Sequence, residues 1–536
     1  MPEVLLKEGS LVMARGGVVV RGAEVERPAV GTWTALLGDG DRVVACKQVV
    51  VARHAPEAEP RPASGAAWEP LWSWERDTEN LYAAFVEQLF REPEGEETTW
   101  PSLQDLIADR SRNLLHDHRL SAEDAALDLR PDCADLPYFL RAYFAWKLRL
   151  PFAWRQCSRG REGRAPSCAP TPKTNLDPVD AHDEVTAFRA LLRELGRNVH
   201  SSSNRTLPND EATDVYPIPM SREAIRPGTV YADPYGHVLV VARWVPQSLA
   251  SYGMLLAADA QPDAVVGRRR FWRGSFLFST ETTEAGAGFK AWRPPVYDRR
   301  TRTITLPTND ELRGSREHVA WSDAQYRGTV DDFYDAMDGL INPRPLDPRV
   351  VQRSLVDALE ESVVRRVVSI DTGETFMRER GFRPIDMPEG ADIFQTEGPW
   401  EDFSTPSRDL RLLVSLDAVT GFPDAVQRRP ERFGLEGDVA SVVRELREWL
   451  GAELARRTFE YTKSDGATQR LTLAQVVERG ATFEVAYNPN DCVESRWGAP
   501  EGSEERATCR RQAPADQRAK MQRYRSWFAS RHRPAR

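Results

Sequence analysis

The chain has 536 residues, 41% of them hydrophobic, with 15 tryptophans and a net charge of −9. That length exceeds one core and implies about two to four folded domains, while the mild net charge gives no sign of a nucleic-acid protein as a whole. No apolar run reaches membrane-spanning length, and no internal repeat is visible. Only seven of the 72 basic residues are lysine, an arginine bias that reflects base composition of the source rather than chemistry. Residues 1–20 lack the basic start and apolar core of a secretion signal, so a cytosolic or an already trimmed chain is expected.

Residues 5–53 alternate short apolar runs with glycine turns, and Gly38-Asp39-Gly40-Asp41 is a hairpin signal. They predict a small all-β unit over 1–54, with Cys46 in its core. The Pro-, Ala- and Glu-rich stretch 55–69 predicts a linker. Apolar stripes at helical spacing follow over 79–90 and 103–118. His116 and His118 would fall on different faces of the second helix, which argues against a shared metal and for solvated surface.

Arg130-Pro131-Asp132-Cys133-Ala134-Asp135-Leu136-Pro137 then reads as a cysteine at the mouth of a helix. Leu136, Phe139, Leu140, Tyr143 and Trp146 supply the buried stripe, Asp132 is a good N-cap, and Pro137 is tolerated in the first turn. The helix N-terminus should lower the pKa of Cys133, and nearby free N–H groups could hold an oxyanion. The alternative is a small cysteine packed under a helix.

About a hundred residues on, a Pro-, Gly- and Asp-rich turn leads into Gly236-His237-Val238-Leu239-Val240-Val241, a buried strand opened by a histidine. A second apolar run, Met254-Leu255-Leu256-Ala257-Ala258, ends in Asp259. A hairpin centred near Ser248 would set His237 opposite Asp259. Strand period two leaves Gln261 and Asp263 on the same face, but Pro262 ends regular pairing, and a carboxylate orients and stabilises an imidazolium better than an amide does. Asp259 is therefore the expected partner of His237.

Together these residues resemble the papain-like cysteine hydrolase superfamily, in particular its NlpC-like cell-wall peptidase branch and its transglutaminase-like branch. Asp132-Cys133-Ala134-Asp135-Leu136 is similar to the Asp-Cys-Ser-Gly-type opening of the NlpC-like peptidases. Pro227-Gly228-Thr229-Val230 before Gly236-His237-Val238 is similar to their Pro-Gly-Asp-Leu and His-Val strand. The resemblance spans 71–288 and implies Cys133 as nucleophile, His237 as base and Asp259 as orienting residue, with no cofactor and no metal. Asp135 and Leu136 replace the usual small residues, the Cys-to-His interval is long, and an aspartate in third place suits the transglutaminase-like branch. The implied activity is thiol-dependent cleavage of amide bonds in peptidoglycan peptides. The alternatives are a transglutaminase-like amidase or acyl transferase, and an inactive papain-like scaffold. By analogy, the N-terminal unit would be a barrel of the bacterial Src-homology type.

Cys157 and Cys168 flank a short glycine-rich basic loop, and Cys492 and Cys509 lie close in the sequence. Two disulfides would favour a periplasmic or secreted location, and free thiols a cytoplasmic one. Arg268-Arg269-Arg270-Phe271-Trp272 reads as a strand that either lines a cleft or forms an edge with its arginines to water. Helical patterns at 330–340, 348–368 and 438–457 and a short α/β piece at 471–487 follow. In the basic tail 515–536, Met521, Tyr524, Trp527 and Phe528 suggest a docking helix. The expected fold is α+β: a papain-like core over 70–300, in which a helical lobe packs on an antiparallel sheet, followed by a mainly helical domain over 301–536. The expected partner is a peptide or peptidoglycan substrate, with no nucleic acid and no transmembrane segment.

Overall fold

A computed structural model describes residues 10–15, 18–22, 29–39, 42–51, 65–91, 98–120, 122–161, 163–248, 252–262, 264–283, 285–394, 396 and 398–534. The fold is α+β. At the N-terminus, Ser10–Arg15 pairs with Val18–Gly22 and Gly31–Asp39 with Arg42–Val51, the second hairpin turning where the Gly-Asp repeat predicts. These are two separate two-stranded sheets, so the expected barrel is not closed among the described residues. Cys46 falls on the last of these strands, and its side chain lies outside the described part.

The predicted linker is too long at its far end. Trp68 is fully buried and donates its indole N–H to Leu150 O at 2.8 Å, and Ala67 N donates to Asn175 O. The chain is thus built into the next domain from Gly65 onward.

That domain is organised on a seven-stranded antiparallel sheet. Its strands are β1 (Thr99–Trp100), β2 (Val215–Pro217), β3 (Val230–Ala232), β4 (Val238–Val245), β5 (Met254–Ala260), β6 (Val266–Arg270) and β7 (Gly288–Trp292). They run in the order β1-β6-β5-β4-β3-β7-β2. Helices α1 (Arg76–Leu89), α2 (Asp135–Lys147) and α3 (Glu184–Asn198) cover one face. There Phe85, Leu136, Leu140, Phe144 and Leu195 pack with Val230, Val238, Val240, Ala258 and Val266. The alternate residues of the same strands point the other way, as the pleat requires. The helix predicted over 103–118 stops at Ala108, because Asn113 is buried and donates its amide to Ile107 O and Tyr143 Oη, each at 2.8 Å.

The second face moves the predicted domain boundary. Tyr231, Leu239, Val241, Leu255 and Phe289 form one core with Phe333, Tyr334, Met337 and Ile341 of α4 (Val330–Ile341). A sheet with one face covered still needs a cover for the other, so the sheet domain continues through Ile341 rather than ending near 300. The remainder is mainly helical. The long α5 (Pro348–Glu379), α6 (Pro406–Thr420), α7 (Val439–Arg456) and the tail helix α8 (Ala515–Ala529) enclose a core of Leu359, Val363, Leu413, Tyr487, Trp497 and Phe528. Met521, Tyr524 and Phe528 of α8 are buried in it, as the docking pattern predicts. No described helix is long and apolar enough to cross a membrane.

Candidate active site

Cys133 lies in the turn that leads into α2. Asp132 caps this turn: its Oδ1 accepts from Ala134 N at 2.8 Å and Asp135 N at 2.9 Å, and its carbonyl accepts from Leu136 N. The cap makes the helix start where the sequence predicts, but it also consumes the N–H groups expected to serve an oxyanion. Cys133 N makes no hydrogen bond among the described residues and is the donor left over.

Opposite this turn, Asp233 N donates to His237 O and Gly236 N to Asp233 O, while Gly236 adopts φ +112°, a region in which a side chain is strained. The turn delivers His237 to the start of β4. His237 Nε2 lies 2.8 Å from Asp259 Oδ2, with the imidazole 17% exposed and the carboxylate 1% exposed. Because Nε2 is held by the carboxylate, Nδ1 is the atom left to receive a proton. Beyond Val240–Ala258 the pairing of β4 with β5 ends, and the Val238 N–H, one residue past His237, is directed at the Cys133 sulfur.

The predicted pairing of His237 with Asp259 is present, but not by the predicted register. Val240 faces Ala258 and Arg243 faces Leu256, with a bulge between Val241 and Arg243. Continuing the Val240–Ala258 register puts Gln261, not Asp259, level with His237. Asp259 reaches the imidazole on the diagonal, from two residues away and the same face. Gln261 instead donates its amide to Asp259 Oδ2 at 2.9 Å. Asp263 lies outside the described residues.

Arg269 completes the support, its Nε 3.2 Å from Asp259 Oδ1. Burial opposes the charge of Asp259, yet Arg269 and the His237 hydrogen bond outweigh it and hold the carboxyl well below the usual carboxylate range. The three-arginine run is therefore turned mainly to partners within the fold rather than out to water. Arg268 is buried, Arg269 serves Asp259, and Arg270 turns to Ser354 and Glu361 of α5.

The expected depression of the thiol pKa is reversed. Burial, then the Asp132 carboxylate, push the Cys133 thiol up, Asp259 adds to this, and the Val238 N–H and Arg411 work the other way. The low-dielectric setting and two carboxylates outweigh the helix end. The upward shift keeps Cys133 a neutral thiol at neutral pH.

Two other clusters carry ligand-type atoms. His116, Asp117 and Asp124 approach one another, but the buried Lys147 ammonium sits 2.8 Å from Asp124 Oδ2 and already supplies the cation. Cys492 and Cys509, which flank Glu494, are bonded to each other, as Cys157 is to Cys168.

No protein-family model matches the chain, and comparison with curated proteins and with solved structures returns no match either. Geometry rather than kinship carries the functional reading.

Proposed function

We propose that the chain is a thiol-dependent hydrolase of amide bonds with a papain-like core, using Cys133 as nucleophile, His237 as base and Asp259 as orienting carboxylate. The observation that carries this reading is the 2.8 Å contact between His237 Nε2 and Asp259 Oδ2, which leaves Nδ1 open one residue from the N–H that faces the Cys133 sulfur. In the reaction, the thiol proton passes to Nδ1 as sulfur bonds the carbonyl carbon. The oxyanion meets the free Cys133 N–H, the C–N bond breaks, and the leaving amine takes the proton back from His237. Water then attacks the thioester as His237 accepts its proton, the C–S bond breaks to release the carboxylic acid, and the imidazolium returns the proton to the thiolate. Asp259 stabilises the imidazolium in both halves.

The substrate we propose is the peptide of peptidoglycan, which suits a chain carrying two disulfides in a periplasmic or secreted setting. A second reading, acyl transfer to an amine as in the transglutaminase-like branch, is favoured by the carboxylate in third place. Incubation with purified peptidoglycan fragments, with and without a primary amine, separates the two by mass spectrometry. Hydrolysis yields free carboxyl ends, and transfer yields amine adducts. Turnover that survives in Cys133→Ala removes both readings.

A further inference from the structure

Two residues of the turn that delivers His237 are held by the C-terminal body, Asp233 directly by α6 and Tyr235 through Arg531 just past α8. Asp233 is fully buried; its Oδ1 accepts from Tyr235 N at 2.6 Å and its Oδ2 accepts from Arg411 Nη2 of α6 at 2.8 Å. Tyr235 packs against the C-terminal core, and its hydroxyl donates to Arg531 O at 3.4 Å. Arg531 in turn pairs with Asp417 of α6 at 2.7 Å. Helix α6 is also seated hard against the sheet domain. A Cβ on Gly274 would lie 2.2 Å from Ser415 Oγ, one turn beyond Arg411. Arg411 itself keeps a buried Nε without a hydrogen-bond partner and is close enough to Cys133 for its charge to act on the sulfur.

Resting on the thiol chemistry proposed above, we infer that Arg411 is a positioning residue of the site, lent by the C-terminal body. It fixes the His237 turn through Asp233 and brings a positive charge of the C-terminal body toward the site. The charges that act on the thiol are Asp132 from its own lead-in, Asp259 from β5 with Arg269 behind it, and Arg411 from α6, while His237 at the start of β4 is held by Asp259. Arg411 is the cation among them that does not come from the sheet domain. The neutral thiol at rest then becomes a thiolate facing two cations, the imidazolium and the guanidinium, as the proton moves. The helical body is on this account part of the catalytic apparatus.

The test is the pH dependence of Cys133 alkylation by iodoacetamide in the full chain, followed by peptide mass spectrometry, for wild type, His237→Ala, Arg411→Gln and Arg411→Lys. Loosening the turn and removing the charge should slow alkylation of Arg411→Gln at pH 7 by roughly three- to tenfold and move its inflection up. Arg411→Lys, which keeps the charge, should recover most of the rate. Arg411→Met serves as the charge-free variant should Arg411→Gln fail to fold by circular dichroism. Alkylation that slows in His237→Ala but stays within twofold of wild type in the charge-free variant overturns the role of Arg411 alone. Alkylation unchanged in His237→Ala overturns the thiol chemistry and this inference with it.

Discussion

Asp259 holds His237 at 2.8 Å although the two residues are not level across the β4–β5 pair. The imidazole is reached diagonally, while the side chain nearest to level, Gln261, braces the carboxylate instead. This ordering ranks two substitutions. Asp259→Asn should lower kcat by about two to four orders of magnitude, since an amide presents the wrong partner to Nε2. Gln261→Ala removes one hydrogen bond from a carboxylate still held by Arg269 and should cost no more than about tenfold. Steady-state kinetics on both variants checks the order, and a larger loss in Gln261→Ala would show that the amide, not the carboxylate, orients the base.

The same pair shows what the sequence can and cannot convey. Side-chain parity was legible, because an error of two residues in register returns to the same face. The bulge between Val241 and Arg243 was not, since nothing in a uniformly apolar run marks where an extra residue is accommodated. Asp132 as cap was legible from local chemistry, but its cost to the thiol was not: capping takes up the N–H groups and places a negative charge beside Cys133. Arg411 was beyond reach, because it meets Asp233 across 178 positions of chain. The arginines of β6 misled for the same reason, since their partners come from β5 and α5 and only folding brings these near.

Cys133→Ala should abolish turnover while leaving the melting temperature within a few degrees of wild type. Cys133 is half-buried at a helix mouth and belongs to none of the hydrophobic cores, so loss of its sulfur opens only a small cavity. Thermal melts read by circular dichroism, run beside an activity assay, test both halves. A collapse in stability would assign Cys133 to packing.

Mass mapping of non-reduced peptides should recover Cys157 joined to Cys168 and Cys492 joined to Cys509, leaving Cys133 and Cys46 to react with a thiol reagent. The bridges span 11 and 17 positions. By the loop-entropy model each contributes about 3 kcal/mol, so replacing either pair with serine should lower the urea midpoint without altering Cys133 alkylation. Free thiols at all four positions would remove the argument for an oxidising compartment.

Lys290 makes stability depend on alkaline pH in a direction that can be read in advance. It lies on β7, is 1% exposed, and donates from Nζ to Thr206 O at 3.1 Å. Burial drives its pKa down to about 7, Arg205 and Arg293 push the same way, and Asp210 opposes them. In the unfolded chain a lysine titrates near an ordinary value of about 10.4. Between these two values the unfolded chain binds a proton that the folded chain does not, so this residue makes stability rise with pH. Buried tyrosines and Cys133 also titrate in the alkaline range, and comparison with Lys290→Met cancels them. Urea unfolding from pH 6 to pH 9 should show the methionine variant more stable than wild type at pH 6. Its advantage should shrink above pH 7 by up to ~1.4 kcal/mol per pH unit. A gap that stays constant across this range would mean that Lys290 keeps its proton in the folded protein.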